Sequence, residues 1–240
     1  GPYHAALVSG LGDVYTWGAN FFGQLGRDYS RLWSLPSELH LPNVFVVSAS
    51  CGGMHTLLLS KEGKVFSFGD GANGRLGHGN CRNYSLPQPI ASLESKRITF
   101  IAAGWTHSMA IDDDGKLFTW GCGNAGRLGH GNVLDVWRPR FVDRLYRIRM
   151  KAMMASGSYD HSAVCCENGT VWTWGLGEHG QLGVGSTESH LEPVLVKSMA
   201  DANLHIVEVS CGGAHTAAVT NDGTLLTWGR GDWGQLGHGN

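Results

Sequence analysis

Histidine is the residue type here whose spacing first suggests chemistry: His4, His55, His107, His161 and His215 follow one another at intervals of 51, 52, 54 and 54 residues. Imidazoles at fixed positions invite a metal or general-base reading. Five of them in five separate units cannot converge on one ion or one substrate. The expectation is therefore a buried structural histidine in each unit, hydrogen-bonded to the backbone of its own unit. Glycine-rich loops raise a second prospect. Gly69-Asp70-Gly71-Ala72-Asn73-Gly74 and Gly121-Cys122-Gly123-Asn124-Ala125-Gly126 fit the G-x-G-x-x-G pattern, as do the stretches 175–180 and 229–234. That pattern cradles a phosphate only where it opens a helix after a strand. Here each copy runs into Leu-Gly and, in the first three, on to a segment containing Pro, so loops without phosphate are expected and no cofactor. Asp112-Asp113-Asp114 has too few spaced ligands for a calcium loop and reads as an exposed turn. The six cysteines, Cys51, Cys81, Cys122, Cys165, Cys166 and Cys211, form no C-x-x-C pair. They read as free thiols of a reducing compartment, which places the chain inside the cell, in cytoplasm or nucleus. With no nucleophile, metal set or cofactor loop left, the chain reads as something other than an enzyme.

The elements that position these residues follow from the repeat itself. Each copy runs through a Gly shortly before the His, an apolar run, a Gly-containing turn, an aromatic-Gly pair and a closing Gly-Gln/Arg-Leu-Gly. The aromatics are Trp17, Phe68, Trp120, Trp174 and Trp228, and the closing motif begins at Gly23, Gly74, Gly126, Gly180 and Gly234. In the last copy, residues 206–211, 215–220 and 224–228 read as strands, the last two joined by Asn221-Asp222-Gly223. Asp-Gly or Asn-Gly between apolar runs predicts a type I′ hairpin turn, repeated at Asp114-Gly115 and Asn168-Gly169. A Pro-bearing segment such as 192–196 suits an outer edge strand. Four strands per unit follow. Apolar residues of both parities in the third strand, Phe118 and Trp120 against Leu117 for instance, mean that each sheet is covered on two faces. Four-stranded sheets stacked face to face around an axis are propeller blades. Glycine at 36 of 240 residues, about twice ordinary usage, fits such a turn-rich all-β chain.

These motifs resemble the regulator of chromosome condensation (RCC1-like) repeat family, whose full members form seven-bladed β-propellers. The resemblance covers the whole chain in five in-phase repeat copies. It implies one domain over 1–240, part of a seven-bladed ring, with the first copy opening at the second strand and the ring truncated at both ends. Such an arc leaves blade faces uncovered, which predicts self-association. No apolar run is long enough to span a membrane, and the formal net charge of -2 gives no bulk attraction to nucleic acid or to an anionic membrane surface.

The resemblance implies three functional classes. In members that exchange nucleotide on a Ran-type small GTPase, acidic and His side chains on the turns between first and second strands meet the GTPase, beside an inserted wedge. Asp160 matches such an acidic position, and the nearly equal spacing from each closing Gly to the next His leaves no room for a wedge. In the plant ultraviolet-B photoreceptor, adjacent blades carry Gly-Trp-Arg-His-Thr. Gly104-Trp105-Thr106-His107-Ser108 is similar to one such copy, with Thr106 in place of Arg, and neighbouring copies offer Met54 and Tyr159. The third class, interaction propellers within larger regulatory or scaffold proteins such as HECT-type ubiquitin ligases, is the reading adopted. Its partners would be proteins, a small GTPase or a ubiquitin-pathway protein among them.

Partners of a repeat scaffold meet the turns that vary from copy to copy. Tyr3, Met54, Trp105, Tyr159 and Asp160 occupy those turns and are the expected partner-binding residues. A second departure is the basic stretch of Arg138, Arg140, Arg144, Arg147, Arg149 and Lys151, six of the 18 Lys and Arg residues. It reads as a solvated outer strand and connection, or as a docking patch for an acidic protein surface or phosphates.

Overall fold

The computed structural model describes residues 1–28 and 33–239, arranged as five antiparallel sheets in chain order. The first contains β1 (His4–Val8), β2 (Val14–Ala19) and β3 (Trp33–Leu39). The second contains β4 (Val46–Cys51), β5 (His55–Ser60), β6 (Val65–Gly69) and β7 (Tyr84–Pro89). In the third are β8 (Ile98–Ala103), β9 (His107–Asp112), β10 (Leu117–Gly121) and β11 (Val136–Phe141). The fourth holds β12 (Ala152–Gly157), β13 (His161–Cys166), β14 (Val171–Gly175) and β15 (His190–Leu195). β16 (Ile206–Cys211), β17 (His215–Thr220) and β18 (Leu225–Gly229) make the fifth. Two short helices, α1 (Asp143–Arg147) and α2 (Lys197–Asp201), lie in the connections between the last three sheets. The expected four strands therefore appear in the three middle sheets and three in each terminal one.

Register within a sheet is set by the aromatic-Gly pair. His55 faces Gly69 and Thr56 faces Phe68, and the same offsets recur in the other sheets. A Cβ at Gly69 would lie 2.9 Å from the His55 Cα, and its φ of +108° is open mainly to glycine. Pairing to the outer strand slips at this same glycine, between Ser67 and Gly69 and at the matching places elsewhere, so the outer strand bends away. Pro36, Pro87, Pro139 and Pro193 all sit in those outer strands, as their missing N–H requires.

The hairpin between second and third strands corrects the type I′ expectation. Gly115 has φ +77°, but Asp114 is absent from the positive-φ residues, and type I′ needs two. The Gly115 N–H bonds the Asp112 carbonyl at 2.9 Å and the Asp112 N–H bonds the Lys116 carbonyl at 3.1 Å. That is a three-residue loop closed by a bulge glycine. Asp112 is buried rather than exposed, its carboxylate accepting the N–H groups of Asp114 and Lys116 at 3.1 and 2.9 Å. The turn needs an acceptor at its first position, and this carboxylate supplies it.

The core lies between sheets. Leu57, Leu59 and Val65 of the second sheet pack on Ile101, Ala110, Phe118 and Trp120 of the third. Met109, Ile111 and Leu117 on the other face of the third meet Ala155, Val164 and Trp174 of the fourth. Sheet-on-sheet stacking of this kind buries apolar residues of both parities, the arrangement expected of propeller blades. Among the described residues no helix is long and apolar enough to cross a membrane.

Candidate protein-interaction face

The histidines are used to join sheets. His4 Nε2 meets the Thr56 hydroxyl at 2.8 Å, His55 meets Ser108 at 2.9 Å, His107 meets Ser162 at 2.9 Å and His161 meets Thr216 at 2.8 Å. Each hydroxyl donates in turn to a main-chain carbonyl of the preceding closing motif: Gln24, Arg75, Arg127 and Gln181, at 2.7 to 2.8 Å. A hydroxyl has one proton, so with that proton on the carbonyl the imidazole must carry Nε2–H and donate. The expected bond to the histidine's own backbone is therefore corrected. The partner is a hydroxyl of the next sheet, which links back to the first. The same carbonyls of Arg75, Arg127 and Gln181 also accept the indole N–H of Trp120, Trp174 and Trp228 at 2.8 to 2.9 Å. A Ser or Thr directly after four of the five histidines, with Ala5 after the first, is the sequence signal for this linkage.

Burial holds these imidazoles neutral. Desolvation takes His107 down to about 3 and His4 and His161 to about 4, and pushes His55 well below the ordinary histidine value. The glycine three residues earlier is steric: a Cβ at Gly52, Gly104 or Gly212 would stand 2.6 Å from the Nδ1 of the following histidine. The fourth copy has Ser158 there, and its hydroxyl meets His161 Nδ1 at 2.9 Å. Nδ1 of His4, His55 and His107 has no hydrogen-bond partner among the described residues.

Turns between first and second strands come together on one face. Trp105 stacks on Tyr159 with ring centroids 4.3 Å apart and planes 22° apart, and Tyr3 lies 5.8 Å from Trp105 on its other side. These rings come from the third, fourth and first sheets, so the row joins turns of sheets that are not all neighbours in the chain. Trp105 covers Gly53, where a Cβ would lie 3.1 Å from the indole, and Tyr159 lies near Gly213. The row is also tied through the backbone, Gly53 N–H to Trp105 O at 3.2 Å and Trp105 N–H to Ser158 O at 2.9 Å. Tyr3 and Tyr159 keep 42% and 46% of their surface exposed. A cavity of about 170 Å³ opens beneath, lined by Pro2, Cys51, Gly104, Trp105, Tyr159 and Cys211 among others. Its two thiols are not activated, since burial raises both and takes Cys211 to about 12.

Met54 and Asp160 have other attachments. The Met54 sulfur accepts from the Gln24 side chain at 3.4 Å. Asp160 forms an ion pair with Arg127, whose guanidinium also bonds the Thr106 hydroxyl at 2.6 Å and the Tyr159 carbonyl at 2.7 Å. Arg127 thus pins the turns that carry Trp105 and Tyr159, and Asp160 is its counter-ion. In the second sheet Arg75 pairs instead with Asp70 of its own loop at 2.9 Å. Where the closing motif has Gln24 or Gln181, the amide oxygen caps a local N–H at 2.8 to 2.9 Å.

The basic stretch is divided by the structure. Arg138 lies over Gly79, at 2.5 Å from where a Cβ would be, and Arg144 bonds the Pro193 carbonyl at 2.8 Å and Glu192 at 3.3 Å. Arg147 pairs with Asp143 at 2.6 Å on α1, and Arg140 lines a second cavity beside His130. Arg149 and Lys151 lie at the start of the fourth sheet. Among the described residues no group of three or more His, Cys, Asp or Glu could hold a metal ion.

The model of the RCC1-like domain family matches residues 1–240. The chain is 38% identical over 236 residues to the E3 ubiquitin-protein ligase HERC2 of Homo sapiens, a match covering 97% of this chain and 5% of that protein. It is also 38% identical over 239 residues to the ultraviolet-B receptor UVR8 of Arabidopsis thaliana, covering 99% of this chain and 53% of the receptor. Among solved structures, human WBSCR16 superposes with a TM-score of 0.87 at 26% identity, covering 99% of this chain and 62% of that one. Prp20p of Saccharomyces cerevisiae, whose structure was described together with its binding to Gsp1p and histones, gives a TM-score of 0.75 at 19% identity, covering 99% and 72%.

Proposed function

Because the chain belongs to the RCC1-like domain family, we propose that it is a non-catalytic protein-binding module, one domain of a larger regulatory or scaffold protein, that grips its partner with the Tyr3, Trp105 and Tyr159 row. The observation that carries this reading is the row itself. Three aromatics from three sheets meet there, Trp105 stacked on Tyr159 and tilted against Tyr3, with the two tyrosines exposed. Rigid aromatics beside a shallow cavity are what the centre of a protein interface contains. Four of the five repeated histidines, the feature most suggestive of chemistry, are buried and used to link sheets, while His215 in the last sheet is half-buried. Similarity to a ubiquitin ligase and to a protein described with Gsp1p and histones supports partners of the ubiquitin pathway or a small GTPase.

Nucleotide exchange on a Ran-type GTPase is the rival reading, favoured by the likeness to Prp20p. It requires several contacts that stabilise the nucleotide-free GTPase. Asp160, the one matched acidic position, is already engaged by Arg127. An ultraviolet-B response, suggested by UVR8, would need a tryptophan cluster, and the turns here hold one Trp. The experiment compares proteins retained from cell extract by the native chain and by Trp105→Ala and Tyr159→Ala, alongside release of labelled GDP from Ran. Partner retention should drop in both variants at unchanged Tm, and GDP release should stay at its basal rate. Retention indifferent to both substitutions would overturn the reading, and an Asp160-dependent acceleration of release would replace it with exchange.

A further inference from the structure

A groove of about 530 Å³ opens on the face opposite the aromatic row, where the hairpin turn of the third sheet meets α1 and the start of the fourth sheet. Its apolar lining is Leu117, Phe141, Val142, Leu145 and Met150. Around it stand Lys116, Arg147, Arg149 and Lys151, against a single carboxylate, Asp114. That carboxylate is taken by Lys116 at 2.8 Å and Arg147 by Asp143 at 2.6 Å. Arg149 and Lys151 make no side-chain hydrogen bond or ion pair among the described residues, and Lys151 acts on Asp114 only through space. The chain as a whole carries a formal charge of -2, so this concentration of cations is local.

The backbone gives an independent sign. As Arg97 does on Gly63 in the second unit, one residue lies against the hairpin glycine in the first, third and fourth: Phe45 on Gly12, Lys151 on Gly115, His205 on Gly169. Two positions before it the chain takes a positive φ, at Asn43 (62°), Arg149 (57°) and Asn203 (53°). Asparagine tolerates this left-handed conformation, while a long side chain is strained there. The third unit holds an arginine where its sisters hold asparagine, and leaves that guanidinium free beside an apolar groove. A strained residue with no internal partner is the kind that ligand sites retain.

We infer that this groove binds an extended acidic segment of a partner protein, with an apolar side chain entering beside Phe141, Tyr146 and Met150 and flanking carboxylates meeting Arg149 and Lys151. Carboxylates complement the two free cations, and the apolar floor selects a peptide over a bare anion.

The probe is a displayed library of octapeptides of Glu and Asp interrupted by Leu, Phe or Trp, with matched libraries in which Lys replaces the acids or Gly the apolar residues. The native chain should enrich the acidic-apolar set over both controls, with affinity falling as salt rises. Arg149→Asn restores the residue its sisters use, so it should keep or raise Tm while weakening the enriched peptides by about tenfold. Lys151→Gln, which retains the Cβ against Gly115, should do the same. Equal enrichment of acidic and basic sets, or binding untouched in the double variant, would overturn the inference. So would a single-stranded RNA that binds tighter than any peptide and loses that binding in Arg149→Asn, since it would assign the groove to nucleic acid.

Discussion

At the scale of the residue, a buried imidazole does its work here by staying neutral. The Nε2–H of each linking histidine is committed to a hydroxyl, and neighbouring cations add to the cost of protonation, Arg127 beside His107 and Arg75 beside His55. In the unfolded chain these histidines titrate near 6.5, whereas the folded chain holds them near 4 or below. The unfolded state therefore binds the protons first. Stability should be full above 6.5 and fall as the pH drops from there toward 4, at about 1.4 kcal/mol per pH unit for each imidazole. With several coupled in series, Tm measured between about pH 7 and about pH 5 should decline steeply, and His107→Gln should decline less. A Tm flat across that window would contradict the neutral linkage. Reading the repeat places all five histidines but not their partners. The hydroxyl after four of them is ordinary in a strand, and only the stacking of sheets shows that it belongs to the neighbour's imidazole. Departures from the repeat are more telling, and Tyr3, Trp105 and Tyr159 stand out as large residues among glycines. Asp160 stands out equally, yet its counter-ion Arg127 lies 33 residues away in sequence, beyond the reach of local pattern.

At the scale of the element, the third strand joins two sheets through one carbonyl. Ser162 and the Trp174 indole converge on Arg127 O at 2.8 Å each. The second sheet shows what happens without the indole: Phe68 takes the same position, fully buried, and among the described residues Gln24 O accepts the Thr56 hydroxyl with no indole beside it. Trp174→Phe should therefore cost about 1 kcal/mol, the net value of one hydrogen bond, because the carbonyl retains a donor and the ring still fills the interface. Trp174→Ala should cost about 3 kcal/mol or more through the cavity it leaves. Equal losses for the two in urea denaturation would show that the indole N–H contributes nothing. Strand positions were legible because alternation and the aromatic-Gly pair mark them. Turn chemistry was legible only in part. Asp-Gly signals a tight hairpin, but a bulged three-residue loop and a type I′ turn share that dipeptide, and the choice is made by the acceptor at Asp112 and its equivalents.

At the scale of the whole molecule, the three inner sheets are covered on both faces and the terminal two on one. The residue that opens the third strand is at most 2% exposed at Val14, Val65, Leu117 and Val171, whereas Leu225 in the fifth sheet is 64% exposed. On the opposite-facing side of the stack, Leu58, Ala110, Val164 and Ala218 are buried while Leu7 in the first sheet is 50% exposed. The two uncovered faces are of opposite kind, and at every internal interface one kind packs on the other. Residues 1–240 as an isolated polypeptide should therefore associate head to tail, the fifth sheet of one copy against the first of the next. Such a heterologous contact can extend as well as close. Sedimentation velocity at rising concentration should show a growing average mass, and Leu225→Glu or Leu7→Glu should shift it toward the monomer, since a carboxylate buried in that contact has no partner. Association unchanged in both variants would place the contact elsewhere, and a monomer at all concentrations would mean that the two faces are satisfied by water. The aromatic row gives the control. Trp105→Ala lies on a different face and should leave the self-association untouched while abolishing partner capture, so the two kinds of contact separate by which variant each one feels.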